Sequence, residues 1–198
     1  GNPYYFNINE SLLLNPYFPP AEYLWWKHEI EWFQFDWGIF MLNGIDTLNR
    51  FITFHRYGIN NDQWRVGFTE AVLVNYKVWS SKEIEYLIPS SVMLETEANK
   101  GVNGNLMWLF DGMYKYNNWT IYSEFMIDDY AIDGKSPPQI AGTIGLGRSF
   151  NDLLLNMEYI RLNRWVGNHC DTVNIWINDK EPIGHTLGPD AHKLQIES

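Results

Sequence analysis

The stretch Glu31-Trp32-Phe33-Gln34-Phe35-Asp36-Trp37-Gly38-Ile39-Phe40-Met41 decides the fold. Phe33, Phe35, Trp37, Ile39 and Met41 share one parity, while Gln34, Asp36 and Gly38 share the other. Side chains alternate between faces along a strand, whereas a helix would scatter these aromatics around its axis. The stretch therefore predicts a β-strand with a bulky apolar side and a side of small or polar groups. Similar patterns recur downstream. Trp119, Ile121 and Phe125 alternate with Thr120, Tyr122 and Glu124, interrupted by Ser123. Ile140, Gly142, Ile144 and Leu146 oppose Gln139, Ala141, Thr143, Gly145 and Gly147. Leu106, Trp108, Phe110 and Tyr114 oppose Asn105, Asp111 and Lys115.

The connections sharpen this reading. Asn, Asp, Gly and Ser predict tight turns at Gly58–Asp62, Asn117-Asn118 and Ser149–Asp152. Longer links are predicted at Asn43–Asn49, Lys77–Gly104, Ala131–Pro138 and Val166–Pro189. Short-long alternation along an antiparallel meander gathers the short turns at one end and the long loops at the other. That is the layout of an outer-membrane barrel; a Greek-key sandwich gives no reason for it. The expected fold is all-β: an up-and-down antiparallel meander forming part of a transmembrane outer-membrane β-barrel. About seven strands plus the start of another are expected, making residues 1–198 one partial barrel domain lacking its first and final strands.

Composition narrows the function classes. The net charge is −10 and the pI about 4.8, so no basic stripe is expected to displace counterions from nucleic-acid phosphates. With 45% hydrophobic and 19% charged residues, the chain is too apolar to stay disordered. Cys170 is the single cysteine, which excludes an internal disulfide framework and a thiolate zinc site. The 10 Trp, 12 Tyr and 11 Phe suit strands and either sugar-stacking or membrane-interface surfaces. No targeting signal is visible at the front. No window holds 18 uninterrupted apolar residues, so no transmembrane helix is expected; barrel strands need apolar residues only at alternate positions.

Several stretches resemble the Wzi capsule-assembly family of outer-membrane β-barrels. The first is Leu48-Asn49-Arg50-Phe51-Ile52-Thr53-Phe54-His55-Arg56, followed across a turn by Trp64-Arg65-Val66-Gly67-Phe68-Thr69-Glu70-Ala71-Val72. The second is Asn105-Leu106-Met107-Trp108 leading to Asp111, with Tyr122-Ser123-Glu124-Phe125 and Ile127-Asp128-Asp129-Tyr130. The third is Met157-Glu158-Tyr159-Ile160-Arg161-Leu162-Asn163-Arg164-Trp165, then Gly184-His185-Thr186-Leu187-Gly188-Pro189-Asp190. Order and spacing match from about residue 45 onward, and residues 1–42 match less clearly. The resemblance implies a larger barrel, of which this chain is a C-terminal stretch. It also implies a non-catalytic role in attaching or assembling capsular polysaccharide at the cell surface through sugar binding; no cofactor is expected.

Two groups of side chains stand out as candidate sites. The first is a lumen or rim polar network: His55, Arg56, Glu70, Asp111, Glu124, Asp128 and Glu158. An ion pair is expected between the His55-Arg56 step and Glu70. Parity puts Thr53 and His55 together, opposite Ile52 and Phe54, and is read as placing His55 on the lumen side. Glu70 shares parity with Val66 and Phe68, the lipid side, where a charge at mid-bilayer costs about 2–4 kcal/mol. A bulge, or a position at the rim, is therefore expected there. Glu124, Asp128, Asp129 and Asp133 form the densest acidic group and read as a solvated rim. Glu124 and Asp128 share one strand face about 13 Å apart, too far for a glycosidase pair without help from a second strand. Asp111, Glu124 and Glu158 are expected to face water.

The second group lies in the long loops: Trp79, Tyr86, Trp165, His169, Trp176 and His185, candidates for polysaccharide binding through ring stacking and polar contacts. The bland reading makes Trp79 and Trp165 interfacial girdle residues. His169-Cys170-Asp171 contains metal-ligand types without a ligand spacing, so no metal is expected. Asn118-Trp119-Thr120 fits a glycosylation sequon but falls in a tight turn. Gly142, Gly145 and Gly147 read as relief of crowding inside the lumen. The expected partners are outer-membrane lipid and surface polysaccharide, with no nucleic acid, for a monomeric protein. Two alternatives stay open: a soluble β-sandwich carbohydrate-binding module or glycosidase, and a barrel acting only as a channel or scaffold.

Overall fold

The computed structural model describes residues 11–15, 21–89, 91, 93, 104–129, 138–150 and 153–198. Its body is one antiparallel nine-stranded sheet in which the first eight strands follow one another in sequence order and the last strand of the chain pairs with the eighth. The strands are β1 (Glu22–Ile30), β2 (Phe33–Ile45), β3 (Leu48–Asn60), β4 (Trp64–Tyr76), β5 (Gly104–Tyr116), β6 (Trp119–Asp129), β7 (Gln139–Phe150) and β8 (Leu153–Leu162). A two-stranded hairpin, β9 (Ile177–Asn178) and β10 (Glu181–Pro182), precedes the ninth strand of the main sheet, β11 (Ala191–Glu197). The all-β meander is thus observed, and β1 and β11 are its two edges.

The expected alternation of connections holds with one exception. Short turns join β1 to β2 at 31–32, β3 to β4 at 61–63 and β5 to β6 at 117–118, all at one end of the sheet. The Asn43–Asn49 link, expected to be long, is instead a two-residue turn at Asp46-Thr47 between β2 and β3. Asp46 adopts φ 54° there, a left-handed conformation that Asp tolerates and hairpin turns require. A register shift between Leu42 and Ile45 precedes it. Strand β1 was not expected: Glu22, Lys27 and Glu29 break its apolar alternation, and its long pairing with β2 supplies what its own pattern lacks. Residues 94–103, 131–137 and 151–152 of the predicted links, with Asp133, lie outside the described residues.

The alternation is real, but the bulky aromatic side is not the buried one. In β2, Gln34, Asp36, Phe40 and Leu42 are buried, whereas Phe33, Phe35, Trp37, Ile39 and Met41 are half-buried on the other side. The side on which Gln34, Asp36, Phe40 and Leu42 lie, here called inward, owes its burial to two segments laid against it. Residues 11–15 and the 163–190 connection contribute Leu12, Leu13, Leu14, Val166, Trp176 and Ile183 to a core with Phe54, Leu73, Met107, Leu109 and Ile160. The Val166–Pro189 link therefore folds onto the inside of the sheet. A second, smaller cluster sits on the outward side: Phe51, Val72, Val74 and Tyr76 are covered by Tyr86 and Met93. Ser80 starts the short helix α1 (Ser81–Glu85) in this cover, and the Glu83 side chain closes the capping box onto the Ser80 backbone.

Candidate functional site

Inward-facing positions of adjacent strands bring the acidic residues together. Asp111 on β5 and Glu124 on β6 are direct cross-strand partners. Arg56, on β3, reaches across β4 and grips Asp111 with both terminal nitrogens, Nη2 donating to Oδ1 at 3.0 Å. The space for that reach is Gly67 on the intervening strand, where a Cβ would collide with the Arg56 guanidinium and the Asp111 carboxylate. Glu124 accepts from the Ser11 hydroxyl at 2.9 Å and from the Leu12 N–H at 2.8 Å. Nearby, Tyr122 donates to Glu158 at 2.8 Å while Asn156 Nδ2 donates to the Tyr122 oxygen at 3.0 Å. Asp36 accepts from Gln34.

Asp111, Glu124 and Glu158 were expected to face water; all three are buried. The difference arises because Ser11 and Leu12 lie over Glu124 and supply its donors, while Arg56 of β3 and Tyr122 of β6 supply those of Asp111 and Glu158, pairings that sheet parity alone does not reveal. Buried carboxylates need such partners. Glu124 and Asp128 do share a face, and Asp128 accepts the Gly167 N–H at 2.7 Å, so Asp128 anchors the inner connection rather than forming a solvated rim. Further tethers are the Arg50 guanidinium, donating at 2.9 Å to both Ile175 and Ile177 carbonyls, and Asn105, donating to the Asn174 carbonyl at 3.0 Å. Asn75 donates to the Asn174 side chain at 2.7 Å, and Trp176 Nε1 donates to the Leu13 carbonyl at 2.9 Å.

The His55-Arg56/Glu70 grouping divides. Arg56 points inward to Asp111, while His55 points outward and stands directly opposite Glu70 on β4. His55 shares its face with Phe51 and Tyr57, so its assignment to the lumen side is corrected. Glu70 is indeed on the outward side, yet neither a bulge nor a rim position accounts for it. The β4 register is regular on both sides. Glu70 is instead buried, with Met93 laid over it: Met93 N–H donates at 3.1 Å and Trp108 Nε1, from β5, at 3.2 Å. Gly142 is likewise outward, beside Phe125 and Arg161, whereas Gly145 faces inward and makes room for the Tyr122 ring.

The loop candidates also divide. Tyr86, Trp176 and His185 are buried, so their rings belong to the interior of the fold and offer no face to a ligand at the surface. Trp79 is 40% exposed and rests on Tyr76 and Phe51, with ring centroids at 4.2 and 5.2 Å. Trp165 is 45% exposed, with the Arg164 guanidinium 4.9 Å from its ring centroid. His169 is half-buried, and its Nδ1 accepts the Asp171 N–H at 3.1 Å. A cavity of about 90 Å³ between the inner connection and the sheet is lined by Leu12, Met107, Met126, Val166, Trp176 and His185. That is small beside the roughly 300–1,000 Å³ of ligand pockets. Among the described residues no cluster of three His, Cys, Asp or Glu could hold a metal ion.

No family model, curated protein or solved structure matches this chain.

Sequence reasoning missed the 11–15 segment. Its signal was present: Leu12-Leu13-Leu14, bounded by Ser11 and Asn15, is a short unalternating apolar run. Such a run fits a segment buried all round. The asparagines that tether the inner connection carry no comparable signal, because isolated amides occur throughout loops and strands alike.

Proposed function

We propose that this chain is part of the wall of a non-enzymatic outer-membrane β-barrel that binds or anchors surface polysaccharide at its long-loop end. The observation that carries the membrane reading is the distribution of charge on the outward side. His28 and Arg148 occupy outward positions toward the short turns, and Glu22, Arg161 and His192 occupy them toward the long loops. Among the described side chains between these ends, His55 and Glu70 are the outward ionisable groups, and both are buried, beside Ile88 and Met93 respectively. The remaining surface is Leu24, Trp26, Val66, Phe110, Ile121, Phe125, Ile144, Met157, Tyr159 and their neighbours, exposed from β1 to β11. An exposed apolar face of this extent is unsuited to water. Thirteen residues, as in β5, span about 30 Å at the usual rise and a 45° tilt, matching a hydrocarbon core. Trp32, Trp64, Tyr116, Trp119 and Phe150 line the short-turn end as an aromatic girdle would.

The polysaccharide reading rests on the resemblance to capsule-assembly barrels and on the exposed rings of Trp79 and Trp165 at the long-loop end. The covered inward side favours an anchoring or scaffold role over an open channel. It also weighs against a glycosidase, since Asp111 and Glu124 are held by Arg56, Ser11 and Leu12 and leave no room between them for a sugar.

The deciding experiment expresses the complete reading frame with its own signal and fractionates the membranes. The outer-membrane band should change gel mobility on boiling. Immobilised capsular polysaccharide should then retain the protein, and W79A and W165A should weaken retention. A soluble, heat-indifferent product overturns the membrane reading. A heat-modifiable barrel with no glycan affinity leaves a scaffold.

A further inference from the structure

We propose that the outward rim at the top of β8 and β11 binds the phosphate of an anionic lipid, an inference that rests on the membrane reading above. Arg161 lies on the outward side of β8, with His192 of β11 paired beside it and Gly142 of β7 on its other flank. Arg164 follows in the connection, its guanidinium above the Trp165 ring. His192 lies 6.4 Å from the Tyr159 ring. Arg161 and His192 thus stand side by side at one rim, with Arg164 two residues past the end of β8, in a chain whose net charge is −10.

Among the described residues, the acid paired with Arg161 is Asp190, at 3.5 Å across an exposed pair, an interaction that water and salt leave weak. A phosphate offers the bidentate acceptor geometry that guanidinium groups favour. Gly142 adds space: a Cβ there would meet nothing nearer than the Glu124 carbonyl oxygen at 3.7 Å. Below this rim, toward the short turns, Tyr159, Met157, Leu194, Ile196 and Ile144 are exposed and uncharged. A headgroup phosphate at the cations would lay its acyl chains along that strip, with Trp165 at the level of the interface. A free phosphate ion has no use for the strip, so the ligand assigned is the lipid.

The test uses the full-length protein in detergent micelles, doped equally with phosphatidylglycerol and phosphatidylcholine, with bound lipid read by native mass spectrometry. Phosphatidylglycerol should be retained about ten-fold over phosphatidylcholine. R161Q/R164Q should bring the two lipids close to parity, R161K/R164K should keep most of the preference, and R148Q, at the opposite end of the outward side, should leave it unchanged. Equal retention by the native protein, a preference that survives R161Q/R164Q, or its loss in R148Q overturns the assignment. Displacement of the lipid by millimolar inorganic phosphate alone overturns the choice of a lipid over an ion. Heat-modifiability is scored on the same preparations. A heat-modifiable protein without lipid preference sinks this inference alone, whereas a soluble protein sinks the membrane reading beneath it.

Discussion

Asp111 and Glu124 stand directly opposite one another on β5 and β6, and each is satisfied from a different direction. Arg56 holds Asp111 from across the sheet, while Ser11 and the Leu12 N–H hold Glu124 from the segment laid over it. The pair is therefore a junction between the sheet and its filling, and its two halves respond differently to substitution.

Removing Arg56 strands Asp111 in the interior beside a second carboxylate. R56A should destabilise the protein by about 3–5 kcal/mol, read as the urea midpoint for unfolding in lipid micelles. R56M/D111L, which removes both charges, should recover much of that loss. Equal midpoints for R56A and wild type would contradict the arrangement.

On the other side of the junction, E124L removes the acceptor for Ser11 and Leu12 and should loosen residues 11–15 without opening the sheet. The expected result is faster amide exchange at Leu12 and Leu13, with the amides of β5 and β6 unchanged. The loss should be about 1.5–3 kcal/mol, and uniform acceleration across the sheet would show that Glu124 supports the strands rather than the segment.

Gly145 faces Tyr122 so closely that any Cβ meets the phenol ring. G145A should therefore cost about 1–3 kcal/mol through overpacking and should disturb the Tyr122–Glu158 hydrogen bond. Coupling measured in a double-mutant cycle with Y122A should be strongly positive, because the smaller side chain removes the collision; independent, additive effects would place the ring elsewhere.

Ile144, 57% exposed on the outward side, separates the two environments that this surface could face. In a bilayer I144R should lower stability by about 2–4 kcal/mol. In water the same exposed change should stay within about 0.5 kcal/mol. Unfolding titrations of the full-length protein in vesicles decide between them.

The meander was legible because period-two alternation and turn chemistry are local. Gln34 and Asp36 against Phe33 and Phe35 announce a two-faced strand in a few residues, and Asn117-Asn118 announces the turn between β5 and β6. What local pattern does not carry is which face is covered. Burial of Glu124 depends on Ser11, 113 positions away in sequence, and burial of Glu70 depends on Met93 laid over it. His55 was assigned to the wrong side for a related reason: a polar residue was taken as the mark of the polar face, although its parity with Phe51 and Tyr57 already placed it among the aromatics. The short β2–β3 turn was missed because Asn43, Gly44, Asp46 and Asn49 are all turn formers, and pairing, rather than composition, decides which of them remain in the strands. Of the binding candidates, sequence could name the aromatic rings but not distinguish Trp79 and Trp165 at the surface from Tyr86 and Trp176 within the fold.

The covering of the inward side bears on the order of assembly. Strands β1 to β8 each pair with the next strand in sequence, so the sheet can zip together in chain order. The hydrogen bond from Trp176 to Leu13 spans 163 positions, and it cannot form until the connection after β8 exists. Contacts of such separation require the largest loop closures and belong late in folding. Residues 11–15 can reach Glu124 once β6 is laid down, but their cover is completed only when the connection after β8 closes over them, so that last connection acts as the clasp of the interior.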